Sequence, residues 1–91
     1  MAEKDNGAVI IDGLAVHIDK ERMSDWRTFR ILREADGKGQ YAMVEAMFKV
    51  IEHATDATEE SIVAHLGGDD AQATDVISLC TKIIEAAAPK N

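Results

Sequence analysis

Cysteine is almost absent from this 91-residue chain, with Cys80 as its single representative. One thiol excludes an internal disulfide. Cys80 falls in a regular apolar pattern, which marks it as a buried, inert side chain and fits a reducing, intracellular setting. Aromatic residues are also scarce: one Trp, one Tyr and two Phe, 4% of the chain. The core is therefore expected from Ile, Val, Leu, Met and Ala. Proline occurs once, as Pro89, so nothing breaks a helix before the end of the sequence. No apolar run reaches transmembrane length and no signal-peptide core is present, so a soluble, non-secreted protein is expected. Positive charge is in deficit, the net charge being −7. A phosphate backbone is recognised by a basic field, so neither a nucleic-acid nor a membrane partner is expected.

The deficit is uneven. Lys20, Arg22, Arg27, Arg30, Arg33 and Lys38 face only Glu21, Asp25, Glu34 and Asp36 over residues 20–38, a local +2, which leaves −9 on the remainder. Within this segment Ser24 to Ala35 carries the only Trp, Trp26, and every arginine but Arg22. It is also where the hydrophobic period changes from two to between three and four.

Residues 1–7 are polar and expected to be disordered. Ala8-Val9-Ile10-Ile11 and Leu14-Ala15-Val16-His17-Ile18 flank Asp12-Gly13, and this predicts a β-hairpin over 8–18 with a type I′ turn, since that turn needs positive φ at both central residues. Residues 19–23 read as a polar connector. Ser24 is the expected N-cap of a helix over 24–35, with Trp26, Phe29 and Leu32 on its buried face and Arg27, Arg30 and Arg33 on the other. A second helix is predicted over 40–53. Its apolar arc (Tyr41, Met43, Val44, Met47, Phe48, Val50, Ile51) covers about half the circumference, wider than the stripe of about 100° a surface helix needs. Either it is the central helix, or part of that arc, with Met43, Met47 and Val50, is held for a partner. A third helix is predicted over 58–66, with Asp56 and Glu59 as a capping box and Gly67-Gly68 as a left-handed stop. A fourth is predicted over 70–88, capped by Asp69 with Gln72, lined by Ala73, Val76, Ile77, Cys80, Ile83, Ile84 and Ala87, and stopped by Pro89. The fold class is thus α+β and mostly helical, a single domain over 8–91 in which an N-terminal β-hairpin packs on a four-helix bundle. The expected core is Trp26, Phe29, Leu32, Val44, Phe48, Ile51, Leu66, Ile77, Cys80 and Ile84.

Catalytic patterns are missing. His17, His53 and His65 lie far apart in sequence and none has a second ligand at metal spacing. Ser78 falls mid-helix, away from any turn on which a nucleophile is approached. No cofactor is implied, and an enzyme is not expected. One segment has partial metal chemistry. Glu34 to Glu45 places Glu34, Asp36, Gly39 and Glu45 at positions 1, 3, 6 and 12 of a calcium loop, but Lys38 stands at position 5 where an oxygen ligand belongs. A helix-turn-helix reading of the last two helices also fails on charge, because Lys82 is the one cation between Asp70 and Pro89.

Val9-Ile10-Ile11-Asp12-Gly13, the alternating Val16-His17-Ile18-Asp19, and Asp25-Trp26-Arg27 with Phe29 and Leu32 together resemble the small tail assembly chaperones of long-tailed bacteriophages and prophages. The resemblance covers residues 8–35 in motif and the rest in size, charge and helix order. It implies a non-enzymatic protein in the cytoplasm of a bacterial host. Such a protein coats the helical tape-measure protein, keeps its apolar faces from aggregating and helps recruit the tail-tube protein. Self-association would suit that role. Arg27, Arg30, Arg33, Met43, Met47 and Val50 are the expected partner-binding residues.

Overall fold

The computed structural model describes residues 8–88. The expected disorder of residues 1–7 therefore lies outside the described residues, as does Pro89. Strands β1 (Ala8–Ile11) and β2 (Leu14–His17) form the hairpin, followed by helices α1 (Lys20–Met23), α2 (Trp26–Ala35), α3 (Gln40–Ala54), α4 (Glu59–His65) and α5 (Ala73–Ala87). A 3₁₀ turn, Gly68–Asp70, joins α4 to α5. The fold is α+β and mostly helical, as the periodicities predict.

The hairpin closes through Asp12 and Gly13 at φ 51° and 87°, the positive pair that a two-residue turn between right-twisted strands requires. Antiparallel register pairs Ile11 with Leu14 and Val9 with Val16, so these four side chains share one face. Val16 is fully buried and Ile11 nearly so. Two strands alone are marginal in water, and this pair is tied to the helical part at both of its ends. Asp56 N–H donates to the His17 carbonyl (3.1 Å) and the Asp56 carboxylate accepts from His17 N–H (2.9 Å). Asp19 N–H reaches the Ala54 carbonyl at 2.7 Å. At the turn, His65 Nε2 donates to the Asp12 carbonyl and Lys82 Nζ to its carboxylate, both at 2.9 Å.

Four local readings are corrected by the hydrogen bonds. Residues 20–23 form the one-turn helix α1 rather than a connector, because the Asp19 carboxylate accepts from the N–H groups of Glu21 and Arg22. Ser24 ends α1, and Asp25 is the N-cap of α2, its carboxylate accepting from Thr28 N–H at 2.9 Å. The capping box of α4 is Thr58 with Ser61, each side chain taking the other's backbone N–H; Asp56 is committed to His17 instead. At the far end of α4, Gly67 is left-handed (φ 116°) as its sequence position predicts. Helix α5 begins at Ala73 with Gln72 as N-cap and no side-chain cap bond, because Asp69 and Asp70 are taken into the 3₁₀ turn. It ends at Ala87, and Ala88 is extended (φ −65°, ψ 143°), the conformation a following proline imposes.

Helix α3 is central, packing against α1, α2 and α5. The main core joins Ile11 and Val16 of the hairpin to Ile51, Ala57, Ile62, Leu79, Cys80 and Ile83. A smaller one gathers Met23, Val50, Ala54 and Ala87, with Ile31 and Leu32 against it. Ile51 and Cys80 are buried as expected, while Leu32, Phe48, Leu66 and Ile84 are half-buried at the margins. Val44 and Ile77 are half-buried outside both clusters, and Ile62, Leu79 and Ile83 take the centre.

Trp26 and Phe29 overturn the expected core. They are 61% and 52% exposed, whereas Thr28 and Ala35 are buried. On a helix of 3.6 residues per turn, Thr28, Ile31, Leu32 and Ala35 share one side, and Trp26, Phe29 and Arg33 the opposite side. Both sets have helical spacing. The choice is made by tertiary bonds: Asp25 Oδ2 pairs with His53 Nε2 of α3 at 2.8 Å, and Thr28 Oγ1 donates to the Arg22 carbonyl at 2.7 Å. These lock the rotational setting of α2 with Thr28, Ile31, Leu32 and Ala35 inward.

Candidate functional site

The outward face of α2 is an ordered aromatic ridge. The Trp26 and Phe29 rings lie 5.1 Å apart between centroids, tilted by 35°. The Arg33 guanidinium sits over both, 5.4 Å from the Trp26 centroid and 5.7 Å from that of Phe29. Each such cation–π contact contributes about 0.5–1 kcal/mol at an exposed site. The three side chains are therefore held as a unit, at lower entropic cost to a binding partner than three free rotors. Arg30 projects beside them and Arg27 lies further round the helix. Among the described residues none of these three arginines is paired with a carboxylate.

A second surface lies on another side of α3, between its N-terminal half and α5. Tyr41, Val44 and Phe48 of α3 face Ala73, Val76 and Ile77 of α5 across an open cleft of about 850 Å³. Glu45 and Glu59 are the charged groups that line it. Tyr41 at its rim is 89% exposed. This cleft accounts for part of the excess width of the α3 arc. Val50, expected at a partner surface, is instead fully buried between α3 and α1. Met43 and Met47 are half-buried, Met47 packing on the main core.

The calcium-loop geometry does not form. Helix α3 begins at Gln40, position 7 of the would-be loop, leaving only residues 36–39 between helices. Glu34 and Glu45 do converge on a small α2–α3 cleft of about 270 Å³, but Lys38 and Lys49 stand there with them and Asp36 does not. Among the described residues no three His, Cys, Asp or Glu side chains are gathered as a metal would need.

The histidines, isolated in sequence, each tie one element to another. His17 holds Asp56 through Nδ1 at 2.9 Å, His53 holds Asp25, and His65 holds the hairpin turn. Asp25 is held below its ordinary value of 3.8, chiefly by the Thr28 N–H and then by His53. Asp56 is likewise lowered, chiefly by the His17 N–H. Sequence spacing could not reveal these pairs, which span 28 to 53 residues. Burial pushes the Cys80 thiol up to about 11, the behaviour of an inert core residue.

No helix among the described residues is long and apolar enough to cross a membrane. Compared with protein-family models, curated proteins and solved structures, the chain matches none.

Proposed function

We propose that this chain is a non-enzymatic binding protein that chaperones an elongated helical client, namely the tape-measure protein of a long-tailed phage or prophage, in the cytoplasm of the bacterial host. The observation that carries this reading is the placement of its aromatic residues. Three of the four, Trp26, Phe29 and Tyr41, are more than half exposed, and Ile10 is 66% exposed. A small domain short of aromatics gains most by burying them, at roughly 25 cal/mol per Å² over 150–250 Å² each. Keeping them outside forgoes several kcal/mol of folding stability, and exposed aromatics and Arg are the residues that dominate protein interfaces. An acidic surface around these apolar patches keeps such a binder soluble. Trp26 and Phe29, two of the residues that carry the resemblance to tail assembly chaperones, form the ridge. In this reading Trp26, Phe29, Arg27, Arg30 and Arg33 meet the client, Met43 and Met47 supply adaptable margins, and the tail-tube protein is recruited to the coated client.

Co-expression with the tape-measure protein of the same genome tests this. The client is expected in the soluble fraction with the wild-type chain and in the pellet with Trp26→Ala/Phe29→Ala. Equal solubility of the client with and without the chain would refute the reading.

A further inference from the structure

We propose that the α2 ridge of one copy seats in the α3–α5 cleft of a second copy, joining copies head to tail. The two surfaces are complementary in shape class and in charge. The ridge is convex, aromatic and basic, with Trp26, Phe29, Arg30 and Arg33. The cleft is concave and apolar, walled by Val44, Phe48, Val76 and Ile77, and its charged lining groups, Glu45 and Glu59, are both acidic. No Lys, Arg or His lines it. Among the described residues the ridge arginines have no carboxylate partner that docking would displace. Within one molecule the match cannot be made. The ridge is the side of α2 turned away from α3, and the cleft lies on another side of α3 from the one α2 packs against. A surface that fits a different surface of the same molecule is a heterologous contact, which propagates into open filaments or closes into rings rather than stopping at a dimer.

The contact is small. Two aromatic anchors of 150–250 Å² each place it toward the low end of specific interfaces, so assembly depends on concentration. Salt weakens it, because the arginine–glutamate pairing at the rim is screened. The inference concerns the chain alone and holds whether or not the proposed client is the right one.

Sedimentation velocity of the purified chain, without any client, tests it. Wild type is expected to show a mass that rises past the dimer as loading goes from micromolar to millimolar. A ridge variant, Trp26→Ala/Arg30→Glu/Arg33→Glu, and a cleft variant, Glu45→Lys/Glu59→Lys, are each expected to associate at least about tenfold more weakly, with thermal melts showing both folded. Tyr41→Arg serves as the cleft variant if the double change fails to fold. The mixture is decisive. A ridge variant retains its cleft and a cleft variant retains its ridge, so together they are expected to form a one-to-one pair that grows no further. A wild type that stays monomeric throughout, a ridge variant that assembles like wild type, or a mixture that remains monomeric overturns the proposal.

Discussion

Single residues carry the clearest chemistry. Cys80 has no exposed surface and a thiol pushed up to about 11, so its reactive thiolate is scarce at neutral pH. A thiol reagent is expected to leave the native protein untouched and to count one thiol per chain once urea unfolds it; rapid labelling of native protein would show that the site opens. The carboxylates of Asp25 and Asp56 give a pH dependence. Both are lowered in the folded state relative to 3.8. The stability they contribute is therefore fully present above that value and lost as pH falls through the lower folded value. Urea midpoints are expected to be level above pH 3.8 on their account and to drop below it, and Asp56→Asn should flatten the drop by removing one contribution. Asp56 was legible in part, as a cap; Asp25 was not, since Ser24 stood as the expected cap. Their true partners, His53 and His17, were not, because a bond across 28 or 39 residues leaves no local trace in the sequence.

Helices and strands show where periodicity suffices and where it does not. The hairpin is specified by Asp12-Gly13 between alternating runs, and its two-residue register follows from the turn alone. The extents of α3 and α4 follow from apolar spacing and caps to within one residue. What periodicity leaves open is which way a helix faces. In α2 the Trp26–Phe29 stripe and the Thr28–Ala35 stripe are equally regular, and in α5 Leu79 competes with Ile77. Leu79→Ala is expected to destabilise by about 2–5 kcal/mol, since it removes a buried side chain and leaves a cavity. Trp26→Ala should cost only about 1 kcal/mol, for the exposed contacts with Arg33 and Phe29 that it gives up. Chemical denaturation of the two variants separates these cases; a large loss for Trp26→Ala would mean the ridge holds the fold. At the start of α4, Thr58→Ala loses both the side-chain bond to Ser61 N–H and its reciprocal geometry, and is expected to cost about 1 kcal/mol.

At the scale of the whole molecule, two apolar surfaces stand on different sides of a central helix, one basic and one acidic. Trp26 is the only tryptophan and sits in the proposed contact, so its fluorescence reports occupancy. Free chain at low concentration is expected to emit as a water-exposed indole, and emission should shift to the blue when the ridge is covered, by client or by a second copy. No shift on adding soluble client fragments would place their binding elsewhere.

The sequence by itself determined the class, the order of the hairpin and the four longer helices, most of their ends and the uneven charge, because these depend on neighbours within a few positions: turn chemistry, caps, apolar period and composition. Tertiary structure decided the rotation of α2 and α5, the burial of Val50, the exposure of Trp26 and Phe29, and the pairing of all three histidines. Those depend on packing between segments remote in the chain. There, the packing of Ile31, Leu32 and Ala35 and a carboxylate shared between a cap and His53 outweigh the hydrophobicity of the two largest side chains on α2.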